Sequence, residues 1–379
     1  MINQENIDLS VVLPCRNEEK SLADCIRQIK EIFAQNNING EIIVSDSSVD
    51  QSAEIARSLN VRLVKHDQFG YGRACLEGLK AARGQYLFLA DADLTYDFKE
   101  IPRFLSYLKQ GFDLVLGNRF GGQMEKGAMP HLNKYLGNPV LSWLFRVFFR
   151  AKITDVHCGM RAITKDALSR LNLQTTGMEF ASEMVIKAVK KKLKIKELPI
   201  NYYCRKGESK LKPLADGWRH LRFMLLYSPL FLFFLPGAFL FLGGLVLLFL
   251  LYFDLVTIFG LKLFYHPIFF SILMIIFGYQ LIIFSVFAKT YAITHLGEES
   301  VLMNKLHRHI TIEKASLIGL LGVLLGLIIY GAIFSKWLQS GFGPLNEVKN
   351  SLLALTIIII GVQTIFSSFI LSILGIKEK

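Results

Sequence analysis

The chain has 379 residues, enough for one soluble domain and a second region of different composition. Its formal net charge of +12 could suggest a nucleic-acid partner, but the basic residues are concentrated between Lys187 and Arg222, before the first long apolar stretch. A nucleic-acid binder carries cations along a face with interleaved aromatic residues, so we predict no nucleic-acid partner. The five cysteines are scattered without zinc-site spacing, which excludes a zinc-binding or disulfide-stabilised class.

Strand and helix patterns alternate through the first part of the chain. They predict a strand at Leu9–Leu13, a helix at Glu18–Phe33, a strand at Glu41–Ser45, a helix at Ser52–Leu59, a strand at Val61–Val64, a helix at Gly72–Ala82, and strands at Tyr86–Ala90 and Leu114–Gly117. Such alternation is typical of a mainly parallel sheet with helices on both faces. We therefore predict a doubly wound α/β domain.

Polar residues follow three of these predicted strands. Asp91-Ala92-Asp93 comes directly after an apolar strand, Asp46 follows another, and Arg16-Asn17-Glu18 follows the first. Ligands of open α/β sheets bind beyond the carboxyl ends of the strands, so these side chains should converge on one crevice. Two carboxylates one residue apart can hold Mg²⁺ or Mn²⁺ and leave coordination positions open for phosphate oxygens. The alternative is a polar cap at the end of a strand, and the convergence favours the metal site.

Long apolar stretches dominate the chain from Leu225 onward. Four of them, at about 230–253, 267–288, 316–334 and 352–374, reach the roughly 20 residues that a helix needs to cross a bilayer. We predict a first domain over residues 1–215, a juxtamembrane segment over 216–229 and a transmembrane region over 230–379. The juxtamembrane segment is either an interfacial helix or a simple linker, and the sequence favours neither.

The distribution of charge predicts the orientation in the membrane. The N-terminus is polar and lacks a signal-peptide pattern, and the loop between the second and third stretches carries Lys289, Lys305, Arg308 and Lys314. Cytoplasmic loops are enriched in lysine and arginine. We therefore expect a multi-pass protein of the cell membrane whose first domain and both termini are cytoplasmic.

Serial motifs in the first domain resemble a known family. Leu13-Pro14-Cys15-Arg16-Asn17-Glu18-Glu19, Asp46-Ser47-Ser48-Val49-Asp50 and Asp91-Ala92-Asp93 resemble the motifs of inverting family-2 glycosyltransferases with the GT-A fold. Gly117-Asn118-Arg119-Phe120 and Arg205-Lys206-Gly207-Glu208-Ser209-Lys210-Leu211 are similar to those of the polyprenyl-phosphate hexosyltransferases, the dolichol-phosphate mannose and glucose synthase group. The resemblance covers about Ile7 to Tyr227, and the order and spacing of the motifs are its specific feature.

The resemblance implies a role for each matching residue. The nucleotide sugar would contact Pro14, Arg16, Asn17, Glu18, Asp46 and Asp91, and the Mg²⁺ or Mn²⁺ ion would bind Asp91 and Asp93. Asp93 and Lys134 would take part in catalysis, with Asp155 as the base if one is needed. The acceptor phosphate would contact Asn138, Arg161, Arg205, Lys206, Ser209 and Lys210. Many members carry a glutamine shortly after the second aspartate; this chain has Leu94-Thr95-Tyr96-Asp97, which leaves Thr95 or Asp97 as the third metal-side ligand.

These expectations combine into a predicted reaction. The enzyme would transfer a hexose from a nucleotide diphosphate sugar to a polyprenyl phosphate at the membrane, with inversion at the anomeric carbon. Glucose from UDP-glucose is the predicted donor sugar, because glucose transfer is common in the group resembled, and GDP-mannose is the alternative. A lipid phosphate is already anionic at cytoplasmic pH, so no strong general base is required. Formation of a homo-oligomer is left open.

Two other functions fit parts of the sequence. A processive polysaccharide synthase also combines a GT-A domain with membrane helices. Such synthases carry a Gln-x-x-Arg-Trp signature, and none of the three tryptophans here belongs to one. A transporter or flippase with a regulatory nucleotide-sugar domain would need polar or charged groups inside its spans. Gln280 and Gln363 are the main polar residues in the predicted spans, which argues against transport.

Overall fold

A computed structural model describes residues 7–207, 213–255, 257–258, 261–262, 265–295 and 311–375. The chain divides into two compact units, Met1–Tyr227 and Ser228–Lys379. The first unit contains a seven-stranded sheet with helices on both faces, and the second contains four long apolar helices.

The sheet of the first unit is mixed. Its strands are β1 Leu9–Cys15, β2 Gly40–Asp46, β3 Arg62–Lys65, β4 Tyr86–Leu89, β5 Leu114–Asn118, β6 Arg161–Thr164 and β7 Ile195–Pro199. They lie in the order β3-β2-β1-β4-β6-β5-β7. Strand β6 runs antiparallel to both of its neighbours, and the other pairs are parallel. The predicted doubly wound α/β class is confirmed, with one reversed strand that the alternation of patterns did not indicate.

Eight helices lie among the described residues of this unit. They are α1 Leu22–Gln35, α2 Ser52–Ser58, α3 Tyr71–Ala81, α4 Ile101–Lys109, α5 Asn138–Phe149, α6 Lys165–Leu171, α7 Phe180–Lys190 and α8 Pro213–Leu226. A short 3₁₀ turn at Phe98–Glu100 precedes α4, and a π-helical turn at Asn133–Gly137 runs directly into α5. Helix α1 begins four residues later than predicted, because residues 19–21 form a turn before it.

The central strands are buried on both faces. Val11 and Leu13 of β1 pack in one apolar core with helices α1 and α4, whereas Val12 packs in a second core with α3 and α7. Successive side chains of a strand point to opposite faces, so a strand between two helical layers must be apolar at every position. This explains why β1, β2 and β4 read as continuous apolar runs in the sequence.

The register of the sheet brings three strand ends together. Cys15 at the end of β1 pairs with Asp46 at the end of β2, and Val12 pairs with Leu89 at the end of β4. Because these strands are parallel, the residues that follow them emerge at one edge. The sheet therefore delivers the polar segments after β1, β2 and β4 to a common site.

Helix α8 packs within the first unit, against α5 and α7. Its residues His220 and Met224 are buried, whereas Trp218 is exposed. Residues 216–226, which the sequence suggested as an interfacial helix or a linker, are therefore helical and half embedded in the first unit.

Four candidate membrane spans lie in the part of the second unit that the structure describes. A π-helical turn at Leu230–Phe234 leads into α9 Leu235–Tyr252, followed by α10 His266–His295, α11 Ile312–Gln339 and α12 Val348–Gly375. A two-stranded hairpin, β8 Thr257–Ile258 and β9 Leu261–Lys262, connects α9 to α10. All four helices are long and apolar enough to cross a bilayer, so the four predicted spans are confirmed.

Small residues allow the spans to pack closely. A Cβ added to Gly244 of α9 would lie 2.8 Å from the Ser271 carbonyl of α10, and one added to Gly319 of α11 would lie 2.6 Å from the Gly361 carbonyl of α12. Gln280 and Gln363 of the spans bind each other, since Gln363 Nε2 donates to Gln280 Oε1 at 2.9 Å. These contacts are typical of helix association in lipid, where small residues and interhelical hydrogen bonds replace the hydrophobic effect.

Candidate active site

The segments that follow β1 and β2 are held together by hydrogen bonds between backbone and side chain. The Asn17 N–H donates to Ser48 Oγ at 2.7 Å, and the Val49 N–H donates back to Asn17 Oδ1 at 3.1 Å. The Glu18 N–H donates to Ser52 Oγ at 3.1 Å. These bonds fix the left-handed turn at Asn17, a conformation that asparagine tolerates better than most residues.

Asp46 lies at the base of this crevice and is fully buried. Its Oδ1 accepts from the Ser48 N–H at 3.1 Å, whereas its Oδ2 is buried without a hydrogen-bond partner among the described residues. A buried carboxylate oxygen is costly unless it is paired, so Oδ2 is an acceptor suited to an N–H or O–H of a ligand.

Arg16 and Phe69 form the rim of the crevice. The Arg16 guanidinium lies 4.4 Å from the centre of the Phe69 ring, and Phe69 is exposed. An exposed ring next to a cation can stack against a planar base. Phe69 was not among the predicted residues, because an isolated phenylalanine in a loop carries no sequence signal. Pro14 lies nearby in β1, beside Ser45 of β2.

The paired carboxylates lie directly after β4. Asp93 is buried, and its Oδ1 accepts from both the N–H and the Oγ1 of Thr95, at 3.1 and 2.6 Å. Asp97 instead caps the 3₁₀ turn through the Lys99 N–H at 3.0 Å. Of the two candidates for the third metal-side ligand, Thr95 is therefore beside the carboxylate pair and Asp97 is engaged elsewhere.

The electrostatics of the pair favour a bound cation. Desolvation, together with the negative charge of Asp93, raises the pKa of Asp91 to about 7, and the positive charges of Arg119 and Arg205 oppose this shift. Two neighbouring carboxylates repel each other, and a divalent cation would relieve that repulsion.

The oxygen donors beside the pair suit a metal that keeps several coordination positions for other ligands. Gly159 packs directly on Asp91, since a Cβ at Gly159 would lie 2.6 Å from Asp91 Oδ2. Among the described residues, no group of three or more His, Cys, Asp or Glu side chains is arranged to enclose a metal. Two carboxylates and one hydroxyl suit Mg²⁺ or Mn²⁺, which keep several positions for water or substrate.

A basic segment closes over the carboxylates. Arg205 lies 3.0 Å from Glu18 Oε1 and 3.5 Å from Asp93 Oδ2, so it bridges the segments after β1 and β4. The Lys206 N–H donates to the Asp93 carbonyl at 3.0 Å, and its ammonium lies 3.3 Å from Asp24 Oδ2. Ser209 and Lys210, which the resemblance assigned to the acceptor phosphate, lie outside the described residues.

Asp155, the predicted base, is engaged in a buried ion pair with Arg119. It is fully buried, and both of its oxygens accept from the Arg119 guanidinium, Oδ2 from Nε at 2.7 Å and Oδ1 from Nη2 at 2.8 Å. A base must reach the proton that it removes. The carboxylate instead orients Arg119, whose charge in turn acts on Asp91. Arg119 lies in the motif Gly117–Phe120, and that motif was the signal from which its role could have been predicted.

Arg161, which the resemblance assigned to the acceptor phosphate, is buried. It is 2% exposed, and its guanidinium donates to the backbone carbonyls of Cys158 and Ala181, the latter at 3.0 Å. Burial of an arginine is tolerated when its N–H groups are satisfied in this way. Arg161 therefore holds the segment before β6 against α7, and its guanidinium does not face solvent as an acceptor-phosphate ligand would.

Lys134 and Asn138 lie on an exposed helix. The ammonium of Lys134 is 5.5 Å from the centre of the Tyr135 ring, and Asn138 Nδ2 lies 3.4 Å from Met129 Sδ. Large apolar side chains are exposed at helical spacing along the same stretch, namely Leu132, Tyr135, Leu136, Val140, Trp143 and Val147. The inner face of α5 packs in the core through Phe145. The helix therefore presents a second apolar face, which we call the exposed α5 stripe.

Comparison with known proteins decides the family. Residues 10–171 match the profile of glycosyl transferase family 2, and residues 286–375 match that of the glycosyltransferase family 2 C-terminal transmembrane region. The chain is 38% identical over 97% of its length to the low-salt glycan biosynthesis hexosyltransferase Agl6 of Haloferax volcanii, and it spans 89% of that protein. The chain belongs to glycosyltransferase family 2. The predicted enzyme class, GT-A fold and membrane region are thereby confirmed.

Two further similarities each cover a little more than half of the chain. This glycosyltransferase is 32% identical, over 55% of its length, to a dolichyl-phosphate hexose transferase of Haloferax volcanii, and it spans 89% of that protein. A structure of glucosyl-3-phosphoglycerate synthase from Mycobacterium tuberculosis, in complex with Mn²⁺, UDP and glucosyl-3-phosphoglycerate, is 20% identical, with a TM-score of 0.47 over 58% of this chain and 80% of that chain.

Proposed function

We propose that the enzyme transfers a hexose from a nucleotide diphosphate sugar to a polyprenyl phosphate, with inversion at the anomeric carbon. The observation that carries the proposal is the meeting of Asp91 and Asp93 with Arg205 at the edge where β1, β2 and β4 end. Similarity to hexosyltransferases, one of them named for dolichyl phosphate, supports the lipid acceptor.

The donor nucleotide would lie over the segments after β1 and β2. The unpartnered Oδ2 of Asp46 would accept from the base or ribose, and the Arg16–Phe69 pair would flank the base. Asp91, Asp93 and Thr95 would hold Mg²⁺ or Mn²⁺, which supplies positive charge to the leaving diphosphate. We propose UDP-glucose as the donor, with GDP-mannose as the alternative.

The acceptor would approach from the side of the basic groups. Arg119 is fixed by Asp155, and Arg205 and Lys206 lie beside the carboxylates, so cations border the position where two phosphate groups must approach each other. A phosphate monoester is a nucleophile at neutral pH, and this chemistry needs charge stabilisation and alignment more than a base. The engagement of Asp155 with Arg119 is compatible with such a mechanism.

The exposed α5 stripe offers a route for a lipid substrate. Six apolar side chains and Lys134 share a helix that also carries Asn138, which resembles an acceptor-phosphate residue. An amphipathic helix with aromatic and basic residues is suited to the head-group layer of a bilayer. We infer that this helix contacts the cytoplasmic leaflet, so that the acceptor phosphate is taken up at head-group depth.

The test is an assay of purified enzyme in bilayers with a panel of UDP- and GDP-sugars, polyprenyl phosphate and Mn²⁺. Release of nucleoside diphosphate that requires the lipid identifies the donor, and the anomeric configuration of the product by NMR tests inversion. A substitution of Trp143 by Glu should impair the use of a bilayer acceptor more than that of a short water-soluble polyprenyl phosphate. Lipid-independent turnover or a retained configuration would contradict the proposal.

A further inference from the structure

Two histidines outside the site described above, the buried His220 and the half-buried His157, share one serine. Ser182 Oγ of α7 lies 2.8 Å from His220 Nδ1 of α8 and 3.3 Å from His157 Nε2 of the segment that precedes β6. The two imidazole rings meet edge to face, with their centres 4.3 Å apart. We call these residues the His-Ser-His link.

The surroundings keep both imidazoles neutral. Burial, the neighbouring His220 and the charges of Arg119 and Arg161 hold the pKa of His157 well below its usual range. Burial and Arg161 lower the pKa of His220 to about 4, and Asp216 on α8 opposes them. A neutral imidazole has one N–H, and a serine has one O–H to donate. Ser182 can therefore donate to one ring and accept from the other, which makes the link directional.

The position of His157 gives the link a connection to the site. The segment 155–159 is tied at one end by the ion pair between Asp155 and Arg119, and at the other by the Gly159 N–H, which donates to the Tyr96 hydroxyl at 2.8 Å. Gly159 also packs against Asp91. His157 lies between these two attachments, so a shift at His157 moves a segment that touches both Arg119 and the carboxylate pair.

The other end of the link lies on α8. This helix begins at Pro213, after the basic segment that contains Arg205 and Lys206, and it ends at Leu226, two residues before the second unit begins. His220 and Met224 are buried residues of this helix, and His220 makes a side-chain hydrogen bond to Ser182 of α7. The link thus joins the helix that leads into the membrane region to the segment that packs on Asp91.

We propose that His157, Ser182 and His220 are positioning residues that set the segment 155–159, and with it Asp91 and Arg119, according to the placement of α8. This deepens the proposed function, because it makes the geometry of hexose transfer depend on the helix that leads into the spans. The link touches neither donor nor acceptor. Its effect on the reaction is through the alignment of groups that do.

The test compares Ser182→Ala and His220→Leu, which break the link, with His220→Asn, which keeps a hydrogen-bonding atom near the position of Nδ1. In the full-length enzyme in bilayers, the first two should lower kcat at least about tenfold, because small displacements of aligned groups are costly. The KM for the nucleotide sugar should change less than about threefold, and His220→Asn should recover most of kcat.

A matched control separates this role from simple stabilisation. Met224→Ala removes a fully buried side chain one turn along α8 from His220 and should lower Tm without lowering kcat at temperatures where the variant is folded. Equal losses of Tm and kcat in Met224→Ala and Ser182→Ala, or unchanged kcat in both link variants, would overturn the proposal.

A second readout does not depend on the reaction. Hydrogen exchange followed by mass spectrometry should show faster exchange in peptides that cover residues 155–160 in Ser182→Ala, and not in Met224→Ala. If this exchange is unchanged, the proposed positioning role of the link is wrong, whatever group the enzyme transfers. If exchange changes while the wild type shows no hexose transfer, the link stands and the proposed reaction fails.

Discussion

The donor-side and acceptor-side groups of this glycosyltransferase are held in different ways. Asp46 and Asp93 lie at the ends of central strands, are buried, and accept hydrogen bonds from neighbouring backbone. Lys134 and Asn138 lie on a helix whose outer face is exposed and apolar. Under the proposed function, the sheet would fix the diphosphate and metal, whereas recognition of the acceptor would depend on a helix with an exposed apolar face.

The largest effect should follow a change in the carboxylate pair. Asp93→Asn keeps an acceptor for Thr95 but removes a charge from the proposed metal site, so transfer should fall by at least about 10²–10³-fold. Circular dichroism and Tm should remain close to those of the wild type. Asp97→Asn is the matched control, since that carboxylate caps a 3₁₀ turn, and it should keep most activity. Near-normal turnover of Asp93→Asn would contradict the proposed metal site at the carboxylate pair.

The buried ion pair should show the next largest effect. Asp155→Asn leaves the Arg119 guanidinium buried without its counter-charge, which typically costs about 3–5 kcal/mol of stability. If Asp155 were a base, activity would be lost while stability was largely kept. We expect instead a clear drop in Tm with only a partial loss of kcat, measured by thermal unfolding and steady-state assays.

Acid should destabilise the first unit through His220. Its pKa is about 4 in the folded enzyme against a usual value of 6.5, so the unfolded state binds a proton first, and stability is lost as the pH falls from about 6.5 towards 4. The maximum contribution is about 3 kcal/mol. Asp216 raises the pKa and Arg161 lowers it, and both remain in His220→Asn. Thermal unfolding should therefore depend less on pH in that variant; an identical dependence would contradict the assignment.

The smallest effect is expected on the acceptor side. Lys134→Ala should raise the KM for polyprenyl phosphate about three- to tenfold, since a cation near the membrane surface contributes on the order of 1 kcal/mol to an anionic ligand, and the KM for the nucleotide sugar should hardly change. Lys152→Ala removes another cation, an exposed one shortly after α5, and serves as the control. Equal effects of the two substitutions would show that charge near the bilayer matters, rather than Lys134 itself.

Much of the fold followed from sequence patterns because the strong signals were local. The apolar runs of β1, β2 and β4 and the four spans were predicted, since both sheet burial and lipid demand uninterrupted apolar residues. The reversed strand β6 was not, because its direction is set by pairing with β4 and β5, which are distant in the chain. Lengths of the spans also differed, because polar residues such as Lys336 continue the helix beyond the apolar stretch.

The site was predictable where its residues follow strands and less so where tertiary contacts decide. Asp91 and Asp93 could be placed at a strand end, but the pairing of Asp155 with Arg119 joins residues 36 positions apart. Burial of Arg161 against α7 likewise depends on how the helix docks. The partners that Asp155 and Arg161 have within the protein could therefore not be predicted from the sequence.

The most direct test of the account is the mass of the lipid after reaction. Wild-type enzyme in bilayers is incubated with polyprenyl phosphate, Mn²⁺ and the donor selected from the nucleotide-sugar panel, and the lipid is analysed by mass spectrometry. The account predicts a lipid that gains one hexose, and that product should be lost with EDTA and in Asp93→Asn. An unchanged lipid despite measurable binding of nucleotide sugar would contradict transfer to a polyprenyl phosphate.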